Sequence, residues 1–200
     1  MPGATLKRPS FKIYSLSEHA VTIEFGSEIN EEIFEQVSNF TALVKKQPFL
    51  GFITAVPAYT TLSVFFDPVK VFLSHELEGR DNFEKVCNHL KKLDQQTISQ
   101  PKVAVNTVTI PVCYGGTFGP DLESVARHHQ ITIEEVVHVH SSTTYKVYML
   151  GFMPGFAYLG GLPTQLHMPR KTKPRIAVPA GSVALAGAQT GVYPFETPGG

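Results

Sequence analysis

The chain has 200 residues, 42% of them hydrophobic and 17% charged, a composition typical of globular proteins that excludes a disordered chain. Its 17 basic and 17 acidic side chains cancel, whereas a dedicated nucleic-acid binder carries a basic excess, so we expect no nucleic-acid partner. No apolar run is long enough to span a membrane, and the N-terminus lacks the apolar core of a signal peptide; both features predict a cytoplasmic protein with no membrane partner.

Residues 1–97 predict a two-layer α+β domain in which one sheet packs against two helices. Apolar or alternating runs predict the strands, and apolar residues at helical spacing predict the helices. Asn30 is the expected N-cap of the first helix, with Glu31 and Glu32 in its first turn. The predicted order is ββαββα, over residues 11–16, 21–25, 31–46, 52–57, 60–66 and 82–93.

Residues 98–107 are predicted to be a linker, and residues 108–200 a second domain. This domain begins with an apolar segment, 108–112, that predicts a strand leading to Cys113, which we expect to be buried. Cys87 and Cys113 have no metal-ligand spacing, so we expect both to be reduced. Asp121 and Thr132 are expected to cap two short helices that run to residues 129 and 139. Further strands are predicted over residues 145–150, 183–186 and 190–193.

Glycine and proline are concentrated at the end of the sequence, in residues 149–200. This stretch holds nine of the 16 glycines and seven of the 15 prolines. Such a mixture favours short strands joined by stiff turns over long helices, because glycine permits unusual backbone angles and proline removes an amide donor. Small residues also permit close approach of strands, so we expect a compact β-barrel.

An overlapping stretch, residues 136–195, lacks carboxylates. No Asp or Glu occurs between Glu135 and Glu196, whereas five basic residues do: Lys146, Arg170, Lys171, Lys173 and Arg175. A positive potential over a turn-rich surface predicts a site for a small anionic ligand. The alternative is that these residues form only a solvated loop; since Pro169 and Pro174 stiffen it, we expect one of its arginines to be aimed at an anion.

Two short segments could supply hydrogen-bond donors to a ligand. Gly181 and Gly191 would let backbone amides face it, and Ser182, Gln189 and Thr190 would add side-chain donors and acceptors. The alternative is that residues 179–182 and 188–191 are purely structural turns. Phe152, Phe156 and Tyr158 form either an aromatic pocket wall or part of another structural turn. His138 and His140 lack a third ligand nearby, so no metal site is predicted.

Motifs across residues 108–200 resemble one family in order and spacing. They are Ile110-Pro-Val-Cys-Tyr-Gly-Gly116, Gly119-Pro-Asp-Leu122, Tyr148-Met-Leu-Gly-Phe152, Pro154-Gly-Phe156, Tyr158-Leu-Gly-Gly161, Pro174-Arg175, Val178-Pro-Ala-Gly-Ser182, Gly187-Ala-Gln-Thr-Gly-Val-Tyr-Pro194 and Pro198-Gly-Gly200. The family is allophanate hydrolase subunit 1, understood mostly as the B subunit of bacterial 5-oxoprolinase. It includes a sporulation-kinase inhibitor and is similar to part of the carboxyltransferase region of urea carboxylase.

The resemblance implies an α+β N-terminal domain followed by a cyclophilin-like β-barrel, and two partners, the A and C subunits of 5-oxoprolinase. It implies ATP-dependent cleavage of 5-oxo-L-proline to L-glutamate, with Mg²⁺ accompanying ATP. The sequence contains no phosphate-binding loop, so ATP is expected mainly on a partner. In the family, further segments follow Pro-Gly-Gly and close the barrel. We therefore expect a barrel truncated after Gly200 and a chain that is inactive alone.

Site residues are assigned by combining the family reaction with the donors and cations described above. We expect three catalytic residues: Gln189, Thr190 and Arg175. The expected substrate-binding residues are Phe156, Tyr158, Pro179, Gly181, Ser182 and Gly191. One alternative is a regulatory protein that inhibits a sensor histidine kinase through its N-terminal domain. A second is an allophanate hydrolase or urea carboxylase type of subunit, which ranks last because no Ser-Ser-Lys amidase signature occurs.

Overall fold

The computed structural model describes residues 11–95 and 106–199. The chain divides into two compact units, Met1–Val103 and Ala104–Gly200. Most of the predicted linker, residues 98–105, lies outside the described residues. No helix in the described ranges is both long and apolar enough to cross a membrane.

The first unit contains a four-stranded antiparallel sheet with the order β1-β2-β4-β3. Its strands are β1 (Lys12–Ser17), β2 (Ala20–Glu24), β3 (Phe52–Pro57) and β4 (Thr61–Phe66). Burial alternates along β4, as expected for a strand with only one face in the core.

Three helices accompany this sheet: α1 (Glu31–Lys46), α2 (Pro68–Leu73) and α3 (Asn82–Asp94). The Asn30 side chain accepts a hydrogen bond of 2.9 Å from the amide of Ile33, which confirms the predicted N-cap. The ββαββα order is also confirmed, with α2 inserted before the last helix. The sequence reasoning missed α2, because six residues are too few to show helical spacing; the signal was Asp67, which caps the helix, followed by Pro68.

One apolar core joins the sheet and the helices of the first unit. Completely buried side chains come from the sheet (Ile23, Leu62), from α1 (Val37) and from α3 (Val86, Leu90). The N-terminal part is therefore the two-layer α+β domain predicted from the hydrophobic pattern.

The second unit begins with two helices, α4 (Leu122–His129) and α5 (Ile133–Ser142). Helix α5 has a complete capping box between Thr132 and Glu135, which confirms Thr132 as the predicted N-cap. Asp121 is at the N-cap position of α4, but its side chain makes no capping hydrogen bond, so that part of the prediction is wrong. Its carboxylate instead contacts two cationic side chains, which form stronger, charge-assisted hydrogen bonds than a backbone amide does.

Two antiparallel sheets complete the second unit, with strand orders β5-β6-β9-β8 and β10-β7. Their strands are β5 (Lys146–Leu150), β6 (Ala157–Gly160), β7 (Arg175–Val178), β8 (Val183–Ala186), β9 (Gln189–Val192) and β10 (Thr197–Gly199). The predicted α+β class is confirmed. The barrel is not confirmed, since the described residues of this unit form two separate sheets and no closed barrel.

The predicted strand over residues 108–112 is wrong, because this segment is irregular and mostly exposed. Val108 and Ile110 are 71% and 55% exposed, and Pro111 has no amide proton to donate to a neighbouring strand. The expectation that Cys113 is buried is wrong for the same reason: it lies in this exposed segment. Both Cys87 and Cys113 are free thiols, as predicted.

Candidate functional site

Strand β9 is central in the larger sheet of the second unit, paired with β6 on one side and β8 on the other. Successive side chains of a strand point to opposite faces, so β9 contributes to two different surfaces. Gly191 pairs with Tyr158 and Ala184, and these residues contact an aromatic cluster on one face. Gln189 has the same parity as Gly191 and therefore belongs to this aromatic face.

Thr190 belongs to the opposite face. It pairs with Leu159 and Leu185, and Leu185 packs with residues of α4 and α5 in a separate apolar cluster. Thr190 is only 3% exposed. The structure therefore separates Gln189 from Thr190, although the sequence places them side by side.

The aromatic face is built around the ring of Phe156. Its centroid lies 4.9 Å from that of Tyr158 and 5.1 Å from that of Tyr193, both in edge-to-face geometry. A methyl group at Gly191 would lie 2.8 Å from Phe156 Cζ, so glycine makes the space that this ring occupies. Phe156 is 8% exposed and thus forms the floor of the face, whereas Tyr158 is half-buried.

Phe152 is the aromatic residue that this cluster leaves exposed. Its side chain is 62% exposed, and its ring lies edge-on to Phe156 with centroids 5.5 Å apart. Its φ of 65° is in the left-handed region, which is costly for a bulky residue. Phe152 lines a shallow depression formed by residues 150–155. The sequence reasoning placed it in an aromatic wall but did not include it among the site residues.

A buried polar chain on the other face involves His140, which sequence reasoning considered only as a metal ligand. Thr190 Oγ1 donates to the carbonyl of Ala184 at 2.9 Å and lies 3.5 Å from His140 Nε2. Since the hydroxyl proton is already used, Nε2–H must be the donor to Thr190, and Nδ1 accepts from the hydroxyl of Tyr114. Burial lowers the pKa of His140, in keeping with this neutral form. These hydrogen bonds connect α5 and the segment before α4 to β9.

Residues 179–182 form a turn between β7 and β8. The Ser182 amide donates to the Pro179 carbonyl at 3.2 Å, and Gly181 has a φ of 83°, which a side chain would strain. The Gly181 amide donates to the Tyr193 carbonyl at 2.7 Å, so this amide is already used within the protein. The ligand-binding roles of Pro179, Gly181 and Ser182 stay predictions.

Arg175, the first residue of β7, forms a bidentate ion pair with Asp121. Its two guanidinium nitrogens lie 2.7 and 2.8 Å from the carboxylate oxygens, and Lys171 Nζ lies 2.8 Å from Oδ1. These hydrogen bonds lower the pKa of Asp121 to about 2, with the contribution of Arg175 the largest. The three side chains are 36–42% exposed, so the ion cluster is accessible to solvent.

The predicted site residues thus fall into four groups, one of which is the β7–β8 turn with Pro179, Gly181 and Ser182. Phe156, Tyr158, Gly191 and Gln189 share one face of the sheet, Thr190 lies on the other, and Arg175 belongs to the ion cluster with Asp121. Within the described ranges, no group of three His, Cys, Asp or Glu side chains could hold a metal ion.

Comparison with known families and proteins gives a consistent result. The family model described as carboxyltransferase domain, subdomain C and D, matches residues 11–200. The B subunit of 5-oxoprolinase from Bacillus subtilis (strain 168) is 46% identical over 191 residues, which cover 95% of this chain and 79% of that protein. The B subunit of 5-oxoprolinase from Haemophilus influenzae is 58% identical over 93 residues, which cover 46% of this chain and 44% of that protein.

Solved structures agree on the fold. The crystal structure of TTHA0988 is 35% identical with a TM-score of 0.74, covering 90% of this chain, which spans about a third (33%) of that protein. The Kluyveromyces lactis urea carboxylase has a TM-score of 0.67 over 96% of this chain and 18% of its own. At 15% identity, the urea carboxylase shows the shared fold alone.

Proposed function

Because the chain belongs to the family of carboxyltransferase domains, subdomains C and D, we propose that it is the B subunit of an ATP-dependent 5-oxoprolinase. It would act with the A and C subunits and be inactive alone. The observation that carries this proposal is the 46% identity to the B subunit of a 5-oxoprolinase over 95% of this chain. The relatives' shared name supports membership of an enzyme complex.

The reaction opens a five-membered lactam, a stabilised amide with a poor nitrogen leaving group. In the proposed sequence, the lactam oxygen attacks the γ-phosphorus of ATP, an O–P bond forms, and ADP leaves. Water then adds to the activated carbon, and the ring C–N bond breaks while the nitrogen takes up a proton. A second water releases phosphate and leaves L-glutamate. Both the substrate carboxylate and the phosphorylated intermediate are anionic, which suits the carboxylate-free, basic region of the second unit.

The aromatic face of the sheet is the proposed substrate surface. The Gln189 amide would donate to the lactam or phosphoryl oxygen and stabilise the charge that develops there. Tyr158, supported by the buried Phe156, would line the apolar side of the ring. Arg175 would pair with an anionic group. Thr190, predicted as catalytic, faces α5, so we propose that it acts by holding β9 in position.

ATP is proposed to bind mainly on a partner. The described part of this chain offers no carboxylate cluster for Mg²⁺, so the metal would arrive with the nucleotide.

The test is the glutamate formed from 5-oxoproline and ATP by a complex reconstituted with the A and C subunits. Arg175→Ala and Gln189→Ala should each lower kcat about 10²-fold, the typical cost of losing one donor to a developing oxyanion. Lys92→Ala, an exposed change on α3, is the matched control and should keep full activity. Unchanged turnover in both site variants would show that the site is wrongly placed. Tight binding to a kinase dimerisation helix pair, without any 5-oxoproline-stimulated ATPase, would favour the regulatory alternative.

A further inference from the structure

Four cations lie within the basic segment, which we define as residues 169–175. Pro169 and Pro174 restrict its backbone. Lys171 and Arg175 share a single carboxylate, that of Asp121. Arg170 and Lys173 are exposed and have no carboxylate within ion-pair distance among the described residues. The segment therefore carries four positive charges, of which two are paired with one carboxylate, and it retains an excess of positive charge.

Asp121 pairs with the basic segment in the way that a carboxylate ligand pairs with an arginine. Its two oxygens accept from both terminal nitrogens of Arg175 and from Lys171, the planar arrangement that a bound carboxylate adopts on an arginine. Asp121 does not cap α4, although it stands at the N-cap position. Its pairing with the basic segment spans 54 residues of sequence, so the contact is tertiary and not a local helix feature.

A tethered carboxylate competes with free anions. Because it is part of the same chain, its effective concentration at the two cations is on the order of millimolar or higher. A ligand with a single carboxylate offers the same chemistry and gains little by displacing it. A phosphate-type dianion brings a second charge and three acceptor oxygens, so it competes better than a single carboxylate for Arg175 and Lys171 and also gains from the excess positive charge of the segment.

We propose that the basic segment is a binding site for a phosphate-type dianion, and that Asp121 is a built-in competitor that excludes single carboxylates. This deepens the proposed function and rests on it, since the phosphorylated lactam would then bind here through its phosphoryl group. The same chemistry is offered by inorganic phosphate and by the phosphates of a nucleotide.

The test is isothermal titration of the full chain at low ionic strength with inorganic phosphate, ATP and acetate. Asp121→Asn keeps the shape but removes the competing charge, and should tighten phosphate binding about fivefold. Glu123→Gln is the matched control: it makes the same change of net charge two residues away and should leave binding unchanged. The double variant R170M/K173M leaves the Asp121 pairs intact and should weaken phosphate binding about fivefold.

Either of two results would overturn the inference: acetate binding the wild type as tightly as phosphate, or phosphate affinity unchanged in the double variant. If Asp121→Asn and Glu123→Gln change phosphate affinity equally, the effect comes from net charge and Asp121 has no specific role. If Asp121→Asn does not fold, as judged by circular dichroism, the double variant and the acetate comparison still decide. If ATP binds more tightly than inorganic phosphate, the ligand of this site is a nucleotide. If the two bind equally, the ligand is a free phosphoryl group. If phosphate binds but the complex forms no glutamate, the phosphate site is supported and the proposed function is wrong.

Discussion

The ring of Phe156 leaves room only for glycine at position 191. A β-carbon there would lie 2.8 Å from Cζ of that ring, closer than real carbon contacts come, and 3.2 Å from Cε1, which is also tight. Since Gly191 is in the central strand, the strand cannot shift without disturbing both neighbours, β6 and β8. The aromatic face thus depends on a single hydrogen in place of a side chain.

We therefore expect Gly191→Ala to lower the free energy of unfolding by about 1–3 kcal/mol, the usual cost of overpacking. Urea unfolding followed by circular dichroism measures this change. In a Phe156→Leu background the clash is relieved, so the same substitution should cost less. An equal cost in both backgrounds would show that Phe156 is not the obstacle.

Asp121 is the residue whose ionisation the structure perturbs most clearly. Its pKa falls from an ordinary value of 3.8 to about 2, first through hydrogen bonds from Arg175 and then from Lys171, against an opposing effect of burial. Because the folded-state pKa is depressed, the ionised group stabilises the fold above about pH 4, and this contribution is lost as the pH falls towards 2.

The stability difference between the wild type and Asp121→Asn should therefore shrink between about pH 4 and pH 2. Its size at pH 7 should be no more than ~1 kcal/mol, because the ion pairs are over a third exposed and are screened by solvent. Urea unfolding at several pH values gives the difference directly. A stability difference that does not change with pH would show that Arg175 and Lys171 do not lower the pKa of Asp121.

Among the elements, α2 depends on a lysine from another helix. Lys85 on α3 donates to the carbonyls of Val71, Phe72 and Ser74 at 3.3, 2.7 and 3.0 Å, which are acceptors at the C-terminal end of α2. Its ammonium also lies 5.9 Å from the centre of the Phe72 ring. One side chain thus holds a six-residue helix that would be too short to form alone.

Lys85→Met should lower the free energy of unfolding by about 1–2 kcal/mol, because three carbonyls lose a charged donor. Amide hydrogen exchange in α2 should accelerate more than exchange in α1. Lys92→Met on the same helix removes only an exposed pair with Glu78, and should cost less than ~0.5 kcal/mol. Equal effects of the two substitutions would contradict the role given to Lys85.

Elements with local signals were predictable, and those defined by distant partners were not. Helices α1 and α5 have an apolar repeat and a cap within a few residues, so the sequence alone places them. Strands β6 and β7 were not predicted; they have four residues each, as the predicted strands β8 and β9 do, so length alone does not explain the difference. The segment 108–112 is apolar enough for a strand but pairs with no other strand in the described part of the chain.

The same distinction applies to the site. Ordered motifs were sufficient to identify the family, and the basic, carboxylate-free region was visible in the composition. Pairing of Arg175 with Asp121, 54 residues earlier, could not be seen in any local pattern. The separation of Gln189 from Thr190 follows from the alternation of side chains along a strand, but the packing of α4 and α5 against the Thr190 face could not be seen locally.

At the scale of the whole molecule, the chain combines an α+β unit of ordinary, mixed charge with a second unit that holds all of the proposed site residues. The chain covers 79% of one relative named as the B subunit of 5-oxoprolinase and 44% of another. The proposed activity is tested together with the proposed partner subunits.

The central claim is that this chain is a required part of a 5-oxoprolinase. The direct measurement is L-glutamate formed from 5-oxo-L-proline and ATP by the purified A and C subunits, with and without this chain. We expect glutamate formation, with matching ADP release, only when all three are present. Equal glutamate formation without this chain, or none with it while the A and C subunits are active with a related B subunit, would contradict the proposed function.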